Sequence, residues 1–265
     1  MTPPPPPAAG FSWTPAPWGL RLSADALLPF VHGWTTRQLA LRISPTGPAA
    51  RWDLLARAAG VDEDAVIRLR QVHGAVLHNA TRADMRGPVI EADLVSTDDP
   101  DLAVVVQAAD CVPLLLVDQR SGRALAAHAG WRGTAANVAG VAASAFATSP
   151  GSSLRVAAGI GPSIGPCCYR VGPELVDRFR DAGWSSRETD AWFLQRSGDW
   201  YLDLWQANAD QLAGRGVPRD AIHVSRLCTS CHADWFPSYR RDGADAGRLA
   251  GYVRARRGTE MGEQA

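Results

Sequence analysis

Ala109-Asp110-Cys111-Val112-Pro113-Leu114-Leu115-Leu116-Val117-Asp118-Gln119-Arg120-Ser121-Gly122-Arg123-Ala124-Leu125-Ala126-Ala127-His128-Ala129-Gly130-Trp131-Arg132-Gly133 is the stretch on which the fold turns. Residues 112–118 are apolar, 119–122 are turn-like and 123–127 are apolar again, so the segment reads as two strands joined by a tight loop. Pairing Asp118 with Ser121 sets Cys111 directly opposite His128, with Cβ atoms about 4.5–5.5 Å apart. A loop of two or four residues keeps both side chains on one face; a three-residue loop puts them on opposite faces. A thiol and an imidazole so placed form either a nucleophile–base pair or two-thirds of a metal site.

Around this hairpin, residues 28–35 read as a strand and 49–59 as a helix closed by Gly60. Residues 66–72 and 75–78 are extended, 82–88 form a loop, and the Val-rich run 102–107 is a buried strand. An Ala-rich helix over 134–147 starts just after Arg132-Gly133. Strand 154–160, loop 161–166 and a helix over 173–182 follow, with Pro in the first turn. Asp203 caps a helix over 203–212, and 221–224 and 248–253 are the last strands. Strands cluster in the first half and βαβ alternation is poor. This favours an α+β fold of layered, mixed sheets flanked by helices over a doubly wound one. The expected organisation is a disordered Pro-rich tail over 1–20, one catalytic domain over 21–257, and a tail over 258–265.

The 27 basic residues balance 27 acidic ones, so no basic excess suggests a nucleic-acid or membrane partner. No protein partner is implied either. Every basic residue is Arg; there is no Lys. That excludes Schiff-base, pyridoxal-phosphate and P-loop lysine chemistry. The start of the chain, Met1-Thr2 and five prolines, has neither the basic nor the apolar region of a signal peptide. The longest apolar run is interrupted by Asp110 and Pro113 and is too short to span a bilayer. Five cysteines without a secretory signal fit a reducing cytoplasm.

His73, in Arg70-Gln71-Val72-His73-Gly74, is a third candidate beside Cys111 and His128. Each alone reads as an ordinary packed or hydrogen-bonded residue; together they suit two chemistries. They can hold Zn²⁺ with a fourth position open, or Cys111 can be a nucleophile with His128 as its base. Copper in a blue-copper arrangement needs an axial Met, and Met1, Met85 and Met261 lie in no motif. Six histidines are also too few for the several centres of a multicopper oxidase. Arg132, at the start of the Ala-rich helix, reads as an anion site or as a plain surface residue. Gly159-Ile160-Gly161-Pro162-Ser163-Ile164-Gly165 lacks the GxGxxG spacing. Cys228-Thr229-Ser230-Cys231-His232 matches haem attachment, which belongs to exported proteins, or half of a zinc knuckle, for which no second Cys-x-x-Cys exists. Incidental thiols are the plainer reading. Ser238-Tyr239-Arg240-Arg241-Asp242-Gly243 is a solvated loop or an anion-binding lip.

Taken in order, these motifs, with Ala109-Asp110-Cys111-Val112-Pro113, Gly161-Pro162-Ser163-Ile164-Gly165-Pro166-Cys167-Cys168-Tyr169, Leu202-Asp203-Leu204 and Asn208, resemble the YfiH/laccase-domain family. These are purine nucleoside phosphorylases formerly called polyphenol oxidases, with mammalian FAMIN as a relative. The resemblance covers about residues 28–256. It implies a layered α/β fold and a zinc ion held by His73, Cys111 and His128. It also implies phosphorolysis of adenosine, inosine, guanosine and methylthioadenosine, with deamination of adenosine. Phosphorolysis needs a cation to hold phosphate, and Arg37, Arg132 and Arg240 are the candidates. The chain departs from the family over 38–52, which is shortened, and at Arg170, where an acidic residue is usual. The rival readings are a metal-independent Cys–His hydrolase or amidase, suggested by the fold's similarity to bacterial toxin deamidases, a copper-dependent polyphenol oxidase, and a non-enzymatic metal-binding protein.

Overall fold

The computed structural model describes residues 2–39, 41, 50–147 and 155–258. Its strands are β1 (Phe11–Ala16), β2 (Gly19–Ala24), β3 (His32–Trp34), β4 (Val66–Ile67), β5 (Leu69–Arg70), β6 (Leu77–Asn79), β7 (Ile90–Glu91), β8 (Leu94–Thr97) and β9 (Ala103–Ala108). They continue with β10 (Val112–Asp118), β11 (Ala124–Ala129), β12 (Val156–Ile160), β13 (Arg170–Val171), β14 (Phe193–Arg196), β15 (Asp199–Leu202), β16 (Ile222–Val224) and β17 (Leu249–Arg254). The helices are α1 (Trp52–Ala59), α2 (Trp131–Ala135), α3 (Val138–Ser144), α4 (Glu174–Asp181), α5 (Ser186–Trp192), α6 (Leu204–Gly214) and α7 (Tyr239–Asp242).

Two six-stranded sheets carry the fold, in orders β1-β2-β3-β17-β9-β4 and β16-β12-β10-β11-β8-β6. Both mix parallel and antiparallel pairs. The alternation of side chains along each strand explains the layering. Leu115 and Val117 of β10 meet Val104 and Val106 of β9 in one core, between the sheets. Leu114 and Leu116 point the other way, into a core shared with α3 and α6. Val105 of β9 likewise points outward, onto α1. The central strands are therefore buried on both faces, which is why they read as continuous apolar runs rather than alternating ones. Trp52, Leu55, Ala56 and Ala59 form the buried stripe of α1, and Gly60 closes it at φ +69°. No described helix is long and apolar enough to cross a membrane.

Trp34 fixes the distance between the sheets. Its indole N–H donates to Pro113 O at 2.8 Å. The ring lies so close to β12 and the following loop that a Cβ at Gly159 or Gly161 would come within 2.6 or 2.1 Å of it. Only glycine fits at either position.

The hairpin is present with a different register. Val112 pairs with Ala129 and Pro113 with His128, so Cys111 lies diagonal to His128 rather than opposite it. The loop is four residues long and Asp118 closes against Arg123. A two-residue loop would have forced Gln119 or Arg120 into left-handed backbone. Instead, the Asp118 carboxylate accepts from Arg120 N and Ser121 Oγ, and Gly122 takes φ +78°. A four-residue loop preserves parity, so Cys111 and His128 still share a face.

Residues 2–20 are not a disordered tail. β1 and β2 pair as an antiparallel hairpin at the edge of the first sheet. Phe11 is buried against Trp34, with ring centroids 5.7 Å apart. The proline run is tied to the body of the fold: Trp13 Nε1 donates to Pro5 O and Thr2 Oγ1 to Asp234. Aromatic burial outweighs the bias of the proline run. The strand expected over 28–35 shrinks to β3, and the helix expected over 134–147 is split. It begins at Trp131, so Arg132 lies inside α2, and Asn137 at φ +63° separates α2 from α3. Residues 1, 40, 42–49, 148–154 and 259–265, including most of the shortened segment, lie outside the described residues.

Candidate active site

Cys111 immediately precedes β10, His128 lies in β11, and His73 sits between β5 and β6. Their ligand atoms all lie within 4.8 Å of one another. The hairpin supplies two of the three. The third is held by a residue that sequence reasoning missed: Asp93, fully buried, just before β8. Strand β8 pairs with β11, with Leu94 beside Ala127, which puts Asp93 next to His128. Asp93 Oδ1 accepts from His128 Nδ1 and from His73 N, each at 2.9 Å. Oδ2 accepts from Gly74 N at 2.6 Å and Val72 N at 3.2 Å. One carboxylate thus orients one imidazole and grips the turn that carries the other. The only sequence signal was an acidic residue inside the apolar run Ala92-Asp93-Leu94-Val95.

Donation from Nδ1 turns His128 Nε2 toward Cys111 and His73, and the two imidazoles meet edge to face with centroids 4.8 Å apart. Two ligand-side residues hold left-handed backbone, His73 at φ +62° and Asp110 at φ +87°. Such strain collects where geometry matters more than local preference. Asp110 is held there by hydrogen bonds to both carboxylate oxygens, from Thr229 Oγ1 and Arg240 N, each at 2.6 Å. Gly130 supplies the remaining space. A Cβ there would lie 2.8 Å from Cys111 Sγ and 3.3 Å from His73 Cδ2.

Burial alone would push the Cys111 thiol up. The adjoining His128 charge and hydrogen bonds from both imidazoles outweigh it and bring the thiol down to about 6. Burial likewise disfavours charge on His128, but the Cys111 thiolate and the Asp93 hydrogen bond raise it to about 9. Asp93 is driven up by burial and held below the usual carboxylate range by His128 and the N–H groups of Gly74 and His73. The cluster favours a thiolate ringed by donors, the state needed by a metal ligand and by a nucleophile.

The three residues line a cavity of about 610 Å³, within the usual range of small-molecule sites. Arg132, Arg240 and Arg248 bring positive charge to its wall; Trp131, Ile164, Tyr169 and Leu204 bring apolar surface. The Arg240 guanidinium lies 5.1 Å from the Tyr169 ring centroid and donates to Arg170 O. Of Ser238–Gly243, Tyr239 and Arg240 line the cavity. Arg37 does not join the cavity lining: its guanidinium donates to Ala233 O and its backbone to Trp235 O. Arg170, the departure noted above, pairs with Asp199 at 2.7 Å.

The family model described as multi-copper polyphenol oxidoreductase laccase matches residues 46–256. Among curated proteins, the chain is 38% identical over 195 residues to purine nucleoside phosphorylase YlmD of Geobacillus stearothermophilus, covering 69% of each chain. It is 34% identical over 201 residues to adenosine deaminase RL5 of an unknown prokaryotic organism, covering 73% of this chain and 76% of that protein. The crystal structure of Bacillus licheniformis hypothetical protein YfiH superposes with TM-score 0.80 at 27% identity, covering 94% of this chain and all of the other. The mixed two-sheet fold, the clustered His73, Cys111 and His128, and these matches agree: the chain belongs to the YfiH/laccase-domain family.

Proposed function

We propose that this protein is a zinc-dependent purine nucleoside phosphorylase that also deaminates adenosine. The observation that carries the reading is the group of two imidazoles and one thiolate at a cavity wall that also presents three arginines. The donor set fits zinc: three protein ligands with a position left for substrate or water is the catalytic arrangement. His73, Cys111 and His128 would hold the ion, which when bound supplies a Lewis acid for activating water or a substrate oxygen. The names of the curated relatives support both activities, and the substrate set includes adenosine, inosine, guanosine and methylthioadenosine.

The chain's own residues fit the rest of the task. Arg132, Arg240 and Arg248 all line the cavity, which supports the first two as the groups that bind phosphate through charge-assisted hydrogen bonds. Phosphate oxygen attacks C1′, the glycosidic bond breaks, and its electron pair goes to the departing purine nitrogen. Trp131, Tyr169 and Leu204 offer the flat apolar surface a purine needs. Tyr169 is pushed up by burial and by the Cys111 charge, so its hydroxyl stays protonated at neutral pH and is available as a hydrogen-bond donor at the cavity wall. In deamination, water adds at C6 of adenine and ammonia leaves. The five free cysteines support a reducing, cytoplasmic setting.

The test is phosphate-dependent release of hypoxanthine from inosine and loss of ammonia from adenosine. Both should disappear on chelation and return with zinc. Full activity after the metal is removed would sink the reading. It would favour the second one, a Cys111–His128 hydrolase, for which the lowered thiol and raised imidazole are the supporting observation. Phenol oxidation with stoichiometric copper would support the oxidase that the family's description names. The four remaining histidines form no further metal-ligating group among the described residues, which weighs against a multicopper enzyme. Metal binding with no turnover of any nucleoside would support a non-enzymatic role.

A further inference from the structure

We propose that Cys167, Cys168, Cys228 and Cys231 bind a second zinc ion, a closed structural centre that ties residues 161–170 to residues 225–241 behind the cavity. Cys228-x-x-Cys231 has no second Cys-x-x-Cys in the sequence. The fold supplies an equivalent in the adjacent pair Cys167-Cys168. All four Sγ atoms lie within 4.8 Å of one another. Cys231 Sγ is 3.6 Å from Cys167 Sγ and 3.4 Å from Cys168 Sγ. Four sulfurs on one zinc ion, each about 2.3 Å from the metal, stand about 3.8 Å apart. A disulfide would need about 2.05 Å. An iron–sulfur cluster would need the sulfurs spread wider, because the cluster itself lies between them. The spacing suits one tetrahedral ion, and four thiolates select zinc among the common cations.

The surrounding backbone is arranged for this. Cys168 N and Tyr169 N both donate to Gly165 O, a tight turn that brings neighbouring cysteines to one side. Gly165 N donates to Cys228 Sγ at 3.3 Å, the kind of outer hydrogen bond that steadies a metal thiolate. Ser163 bridges to Cys228, and Thr229 N donates to Ser163 O. Guanidinium groups brace the backbone on both sides of the cluster. Arg241 donates to Thr229 O and Ser230 O, and Arg196 to Pro166 O. Each thiol releases its proton as the metal binds, and no redox change is involved.

The position gives the ion a consequence. Tyr169 follows Cys168 and lines the cavity. Thr229, inside the Cys-x-x-Cys loop, donates to Asp110 beside Cys111. With all four positions filled by protein, this centre orders the wall and performs no chemistry.

Zinc content of the purified full chain tests the proposal. Wild type should carry two equivalents; Cys111→Ala and Cys231→Ser should each carry one. Cys231 is exposed, so its variant keeps the core intact; buried Cys228→Ser should give the same loss. With cobalt in place of zinc, the intense tetrathiolate absorption should vanish in Cys231→Ser and persist in Cys111→Ala. One zinc per chain that Cys111→Ala removes would overturn the proposal. So would iron in place of zinc, or a non-reducing intact mass short by the hydrogens lost to a disulfide.

Discussion

Two groups of side chains able to ligate a metal differ in what surrounds them: the first lines the cavity, and the second touches it only through neighbours such as Tyr169. At the first, His73, Cys111 and His128 offer three donors, and Asp93 orients two of the elements that carry them. At the second, four cysteine sulfurs gather where two backbone segments converge, and among the described residues no carboxylate hydrogen-bonds them. The first leaves a position for chemistry and the second leaves none. Placing an open site needs a buried anchor because its own ligands do not close a shell. A closed site anchors the chain instead.

Several measurements would break or sharpen that contrast. Cys111→Ala has the largest effect: the open site loses its metal and nucleoside turnover falls below detection. Retained turnover with full zinc would show the ligand set to be wrong. Chelator titration should separate the sites next. The open site empties first with activity, and the four-thiolate site follows; loss in the reverse order would refute the assignment of open and closed. Asp93→Asn keeps the shape but weakens the grip on His128 and His73, so affinity at the open site should fall about 10–100-fold, with zinc in the closed site unchanged. Unaltered affinity would remove Asp93 from its positioning role. Arg240→Ala should raise KM for phosphate about tenfold, the worth of one charge-assisted hydrogen bond. A fall in kcat at constant KM would place the phosphate elsewhere.

The smallest effect on either site comes from His32, a buried histidine that makes no salt bridge among the described residues. Burial brings it down from 6.5 to about 4, against a hydrogen bond to Phe30 O, while Nε2 accepts from Ala24 N and so favours the neutral ring. Because the unfolded chain binds the proton first, this stabilisation is complete above pH 6.5 and is lost as pH falls toward about 4. The cost from about pH 7 to about pH 4.5 is about 2–3 kcal/mol. His32→Gln should lose less stability over that interval in urea unfolding, with turnover at neutral pH unchanged. An equal loss in both proteins would mean that other groups set the acid limit.

The parts of the molecule differ in how much of them could be read in advance. The hairpin of β10 and β11 was legible because its information is local: apolar runs, a turn and the parity of the loop. Its register was not, since Gly122 and the Asp118 carboxylate choose the loop. Asp93 was not legible because its role depends on β8 lying beside β11. The five prolines misled in the other direction: composition suggested disorder, whereas Phe11 and Trp13 have partners in Trp34, Trp235 and Phe236 far along the chain.

By itself the sequence determined the strand pair that carries Cys111 and His128, the shared face of those residues, the motifs of the family and the absence of lysine chemistry. These rest on composition and short-range order. Only the tertiary structure decided that Asp93 joins the histidines, that Arg37 stands away from the cavity and that Cys167-Cys168 meets Cys228 and Cys231. Each of those depends on which distant strands and loops become neighbours, and that choice belongs to the packing of two sheets around one core.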